Sequence, residues 1–252
     1  TCRVLLMPVM DFWWQCPWRI TFSDLSVNCS CVMRLALISC NEEKKTSLKL
    51  PIVLKEEKVW ISKNQKFLDK FKTIDIDTLK VFSGEEVFDS NFEFFGKKIE
   101  RSDSKIFPSD FNIFEDNKVE TYAIYKFEID KNNLGLIART PSEYWPTSLK
   151  LFVYDKNKDK ITNYTEIGES WGDAGDRLIK KSWFFKNKND ISCFLWVYYA
   201  HDNSVDEDLE NPSFIENHYF LLNFKNGEID TISKNNKQLE KQFSNIIKKN
   251  KI

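Results

Sequence analysis

Val119-Glu120-Thr121-Tyr122-Ala123-Ile124-Tyr125-Lys126-Phe127-Glu128-Ile129, followed by Asp130-Lys131-Asn132-Asn133 and then Leu134-Gly135-Leu136-Ile137-Ala138-Arg139, decides the fold class. Successive side chains of a strand point to opposite faces. Val119, Thr121, Ala123, Tyr125, Phe127 and Ile129 therefore share one face, and Glu120, Lys126 and Glu128 lie on the other. Asp and Asn favour turns because their side chains bond nearby backbone N–H groups, so residues 130–133 read as the turn of a hairpin. The apolar run that follows is its returning strand.

The same grammar recurs outward from this hairpin. Leu149–Tyr154 alternates and ends in Asp155-Lys156-Asn157-Lys158-Asp159, after which Ile161 opens another run. Leu178–Phe185 ends at Asn187-Lys188-Asn189-Asp190, and Ile191–Ala200 is apolar almost throughout, as befits a strand covered on both faces. His218–Phe224 reaches Asn226-Gly227, a strong hairpin signal, and Ile229–Ile232 answers it. Upstream, Phe67, Leu68 and Phe71 suit a short early helix; at the other end Leu239, Phe243, Ile246 and Ile247 form one stripe of a C-terminal amphipathic helix. The expected fold is mainly β: an antiparallel meander sheet, with a propeller-like arrangement as its variant, flanked by those two helices.

Composition supports one folded domain over residues 48–252. Hydrophobic residues make up 42% and aromatics 15% of the 252 residues, including 21 Phe, enough to drive burial of a large core. The net charge of -1, from 37 basic and 38 acidic residues, argues against a nucleic-acid partner, which calls for concentrated basic charge. Residues 1–39 differ in kind. They contain no Lys and hold Cys2, Cys16, Cys29 and Cys31, with Cys40 next in line, and they read as a leader or non-native segment.

The junction Leu37-Ile38-Ser39-Cys40 resembles the lipobox of bacterial lipoproteins, and the charged Asn41-Glu42-Glu43-Lys44-Lys45 resembles the acidic tether that follows it in some of them. Arg34 shortens the apolar stretch before Cys40 to Leu35–Ser39, a departure from the family's longer pattern. The resemblance implies lipid attachment at Cys40, a tether over 40–47, membrane association through that anchor, and a place in the bacterial cell envelope, at the outer membrane or cell surface.

Four stretches are candidates for function. Glu169-Ser170-Trp171-Gly172-Asp173-Ala174-Gly175-Asp176 gathers three carboxylates, a Trp and two glycines within eight residues, which reads as a tightly shaped loop. There Glu169, Asp173 and Asp176 suit a calcium ion or an acid–base pair, or else a structural corner plugged by Trp171. Tyr144 and Trp145, between Pro141 and Pro146, are candidate ligand-binding aromatics along with Trp171. Asp155, Asn157, Asp159 and Glu166 carry EF-hand spacing, but Lys160 stands where that loop needs Gly, so a hairpin turn is expected. The loop His201–Glu210 is strongly acidic and reads as solvated. The chain has no P-loop, dinucleotide fingerprint or nucleophile elbow, and Cys193 lies in an apolar strand.

Three readings follow: a non-enzymatic, lipid-anchored binding or interaction protein with a protein or glycan partner; a carboxylate-dependent hydrolase of envelope or extracellular glycan, working with or without calcium; and a structural envelope lipoprotein. The first expects exposed aromatics on a shallow surface, the second a pocket where two carboxylates converge, and the third a buried Trp145 and Trp171.

Overall fold

Eight strands follow one another in sequence and in space, each antiparallel to the last: β4 (Tyr122–Asp130), β5 (Asn133–Thr140), β6 (Ser148–Asp155), β7 (Lys160–Asp173), β8 (Asp176–Asn187), β9 (Asp190–His201), β10 (Phe214–Lys225) and β11 (Glu228–Ser233). The computed structural model describes residues 60–84, 89–111, 120–142, 146–187, 190–203 and 212–250. The leader, Cys40 and its tether, Tyr144, Trp145 and the acidic residues after Asn203 lie outside them. Among the described residues three short strands join the sheet: β1 (Lys72–Thr73) pairs parallel with β4, β3 (Lys97–Lys98) antiparallel with β4, and β2 (Thr78–Phe82) antiparallel with β8. The sheet is thus mixed, with a meander as its body. Its strands form one continuous path instead of radial blades, so the propeller-like variant does not apply.

β7 determines the architecture. Its first part pairs with β6 up to Gly168↔Leu149; from Glu169 onward it pairs with β8. Where β7 leaves β8, β2 takes over, pairing Phe82↔Lys181 through Thr78↔Phe185. The sheet forks at this point, and its two halves face each other. Gly168 allows the fork: a Cβ there would press on Leu149 and on Val81 of β2 at 3.3 Å.

Between the halves lies a central core. Ile137, Leu149, Leu151 and Val153 come from one side, and Phe184, Cys193, Leu195, Leu222 and Phe224 from the other. The period of two then gives each half an outer face. On the first, Leu134, Leu136, Ala138, Phe152 and Tyr154 are covered by α1 (Gln65–Leu68) and by the 3-10 segment Arg101–Ile106 with Phe107 and Phe111. On the second, Trp183, Phe194, Trp196 and Tyr219 are covered by α2 (Asn236–Gln242) and α3 (Ser244–Lys249) through Leu239, Phe243, Ile246 and Ile247. Phe243 stacks on Phe194 with centroids 4.1 Å apart, so the expected C-terminal stripe is real but is divided between two short helices. Because both halves are covered twice, β5 is buried along its whole length.

One expectation needs correcting. A register shift between Ala123 and Tyr125 breaks the alternation of β4, placing Ala123 in the outer core and Ile124 and Tyr125 together in the central one. Among the described residues no helix is long and apolar enough to cross a membrane.

Candidate functional site

Beyond the fork, β7–β10 run on past the central core. Along β8 the inward face reads Phe184, Ser182, Lys180, Leu178, Asp176; along β9 it reads Cys193, Leu195, Val197, Tyr199, His201. Among the described residues the core ends near Val197 and Phe220, and the strands run on past it as an overhang. Trp171 lies opposite Leu178, Leu178 opposite Tyr199, and His201 opposite both Asp176 and Phe214. Trp171, Leu178 and Tyr199 are half-buried and Phe214 is 39% exposed; Ile215 on the other face is 66% exposed.

A hydrogen-bonded group organises the tip. Asp176 Oδ1 accepts from the Tyr199 hydroxyl at 2.7 Å and from His201 Nδ1 at 3.0 Å. The Phe214 ring lies against both Tyr199 and His201, with centroids 5.5 and 5.7 Å away. The bonds from Tyr199 and His201 hold the Asp176 carboxyl below its ordinary pKa, and the same bond from Asp176 raises that of Tyr199. The backbone N–H of Asp202 donates to Gly175 O at 3.0 Å, tying the end of β9 to the β7–β8 turn.

At the root of the overhang sits an ion cluster. Lys180 Nζ donates to Glu169 at 2.7 Å and also to Glu166; Lys150 Nζ reaches Glu166 at 2.9 Å, and the Ser148 hydroxyl donates to Glu166 as well. Burial opposes ionisation of Glu166, but Lys150, Lys180 and Ser148 outweigh it and bring its pKa down to about 2. Burial moves Glu169 the other way, opposed by its bond to Lys180 and helped by the charge on Glu166. Carboxyls driven apart in this way are what acid–base chemistry uses. Here, though, both oxygens of Glu166 are taken by Lys150, Lys180 and Ser148, so that carboxylate is committed to the ion cluster.

The stretch Glu169–Asp176 is therefore the end of β7, a tight turn at Ala174-Gly175 and the start of β8, not a separate loop. Alternation puts Glu169, Trp171 and Asp173 on one face, yet Glu169 is committed to Lys180, Asp176 to Tyr199 and His201, and Asp173 is exposed at the turn. Among the described residues no three His, Cys, Asp or Glu side chains come together as a metal site would require. Asp155 and Asp159 form the expected hairpin turn: Asp155 Oδ1 accepts from the N–H groups of Asn157 and Lys158 at 2.8 and 3.0 Å.

Sequence reasoning reached Trp171 and Asp176 but missed Tyr199, Phe214, Lys150 and Lys180, whose meeting depends on register between strands that no local pattern specifies. It also missed a groove of about 420 Å³ beside α1 and β4, bordered by Trp60, Lys126 and Glu128. No protein-family model, curated protein or solved structure matches this chain.

Proposed function

We propose that the protein is a non-enzymatic interaction module of the bacterial cell envelope, held to a membrane by a lipid on Cys40, that meets a macromolecular partner with the overhanging end of its second half-sheet. The observation that carries this reading is the ladder Trp171, Leu178, Tyr199, Phe214, which continues the inward face beyond the core. Trp and Tyr are the residue types that dominate binding energy at interfaces, because each adds large rigid area and a polar handle. The Asp176–Tyr199–His201 bonds fix the rings in advance, which lowers the ordering cost of association. The lipid anchor is supported by Leu37-Ile38-Ser39-Cys40 and the charged tether after it.

Two measurements on the full chain in a native-like membrane fraction test the two halves of this reading. Intact mass should find an acylated species beginning at Cys40; a soluble, unacylated chain retaining residues 1–39 would overturn the anchor. A photo-crosslinking side chain at position 214 should give defined adducts that the same group at exposed Lys97 does not. Equal yields from the two positions, or none from 214, would overturn the contact surface.

A further inference from the structure

The groove beside α1 has the wall, rim and charge balance of a site for a small uncharged ligand. Its floor is apolar, from Leu68, Ile74, Phe127 and Leu134; its rim carries Gln65, Asp75, Lys126 and Glu128; its wall is Trp60. The volume of about 420 Å³ lies within the ordinary range for small-molecule sites, about 300–1,000 Å³.

Trp60 is 39% exposed and nevertheless held in place. Its Nε1–H donates to Lys156 O at 3.1 Å, and its ring stands edge-on to Tyr154 with centroids 6.3 Å apart. The backbone just after it is pinned by Asp159, whose carboxylate accepts from Ser62 Oγ at 2.6 Å and from the Lys63 N–H at 2.7 Å. Asn64 Nδ2 donates to Asp159 O at 2.8 Å. An exposed indole pinned at both ring and backbone is a preorganised stacking surface, since its rotamer entropy is already lost before a ligand arrives.

The charges around the groove cancel in pairs. Lys126 Nζ donates to Leu68 O at 2.8 Å and lies 3.8 Å from Asp69; Lys186 pairs with Asp75 at 3.1 Å, and Lys156 pairs with Glu128. Three ammoniums thus face three carboxylates. The Lys156 ammonium also lies 5.7 Å from the Trp60 ring, where a ligand cation would otherwise be drawn. Among the described residues an anionic ligand finds no uncommitted cation at the groove, and a cationic ligand finds its aromatic partner already attended. What the groove does offer is an apolar stacking wall beside spare carboxylate and amide acceptor sites.

We infer that this groove binds a neutral saccharide, one or two pyranose units, with a C–H face against Trp60 and hydroxyls donating to Asp75, Glu128 and Gln65. The site is separate from the overhang and does not depend on the interface proposed for it.

The test is titration of the full chain with neutral β-linked glucose and N-acetylglucosamine oligomers, followed by saturation-transfer NMR and calorimetry, with a uronic-acid oligomer as the anionic comparison. At least one neutral oligomer should bind saturably, and more tightly than the anionic one. Trp60→Ala should weaken it at least tenfold and Asp75→Ala about threefold, while Trp171→Ala should leave it unchanged. Asp75 is a solvent-exposed side chain, so its replacement reports on the groove even if Trp60→Ala fails to fold. Absence of saturable binding by both neutral oligomers would overturn the inference. So would preference for the anionic oligomer, or parental affinity in the Asp75→Ala chain.

Discussion

Replacing Lys180 by Met tests whether the ion cluster holds the fork of the sheet together. Lys180 is the cation hydrogen-bonded to Glu169, which is 7% exposed; Glu166 also loses a bond but keeps Lys150 and Ser148. The variant therefore orphans one buried carboxylate, not two. Breaking a buried pair by removing one partner costs about 3–5 kcal/mol. With Glu166 still neutralised and a Met side chain filling the space, we expect a loss of about 3 kcal/mol at pH 8, measured by urea denaturation. The loss should shrink as pH falls. Burial already raises the Glu169 pKa in the parent, and removing Lys180 takes away its main opposing influence. A carboxyl whose folded pKa lies above its unfolded value gains stability as pH falls through the folded value, and the gain is complete below the unfolded one, about 4.3. Glu166 works in the other direction: its contribution is full above its ordinary pKa and is lost as pH falls from there toward about 2. At pH 5.5 the parental contribution of Glu166 is still intact, so the change in the deficit between the two pH values reports mainly on Glu169. Lys180→Met with Glu169→Leu removes both charges and should return to within about 1 kcal/mol of the parent. A Lys180→Met chain within about 0.5 kcal/mol of the parent at pH 8 would refute the reasoning. So would a deficit that is equal at pH 8 and pH 5.5, or that the second substitution merely adds to.

Three further outcomes are expected. Gly135→Ala would set a Cβ 2.4 Å from the Phe127 ring, which is buried; overpacking of this kind costs about 1–3 kcal/mol, and Phe127→Leu should relieve it, so an additive pair in denaturation experiments would count against the close approach. Arg139 is 2% exposed, donates to Phe95 O at 3.0 Å and Pro146 O at 3.2 Å, and stacks 4.1 Å from the Tyr122 ring. A Lys cannot fork or stack this way, so Arg139→Lys should lower stability by about 2–4 kcal/mol, and a loss under about 1 kcal/mol would show that charge alone suffices. Burial pushes the Cys193 thiol up to about 12, so the peptide containing Cys193 should resist iodoacetamide at pH 8 in the folded chain and react once urea unfolds it; equal labelling of both states, read by mass spectrometry, would contradict that burial.

Much of the fold could be read locally. The turn residues at Asp130–Asn133, Asp155–Asp159 and Asn226-Gly227 and the alternation of the segments between them led to strands β4–β7, β10 and β11, because turn chemistry and period-two patterning act over a few residues. The short early helix and the C-terminal apolar stripe were legible for the same reason, through the helical period. What tertiary structure alone decided is which strand face meets which. The shift at Ala123–Tyr125 reversed part of an alternation that looked regular, and the passage of β7 from β6 to β8 at Gly168 turned one meander into two facing halves. Glu169–Asp176 appeared as a compact loop because its Gly and Asp content resembles one; only pairing with Asp176–Lys180 makes it the end of a hairpin. The ion cluster, the Asp176–Tyr199–His201 group and the Trp60 groove each join residues far apart in the chain. Nothing local encodes such meetings: they follow from strand register and from long-range burial, which the chain settles only when its distant segments compete for the same core.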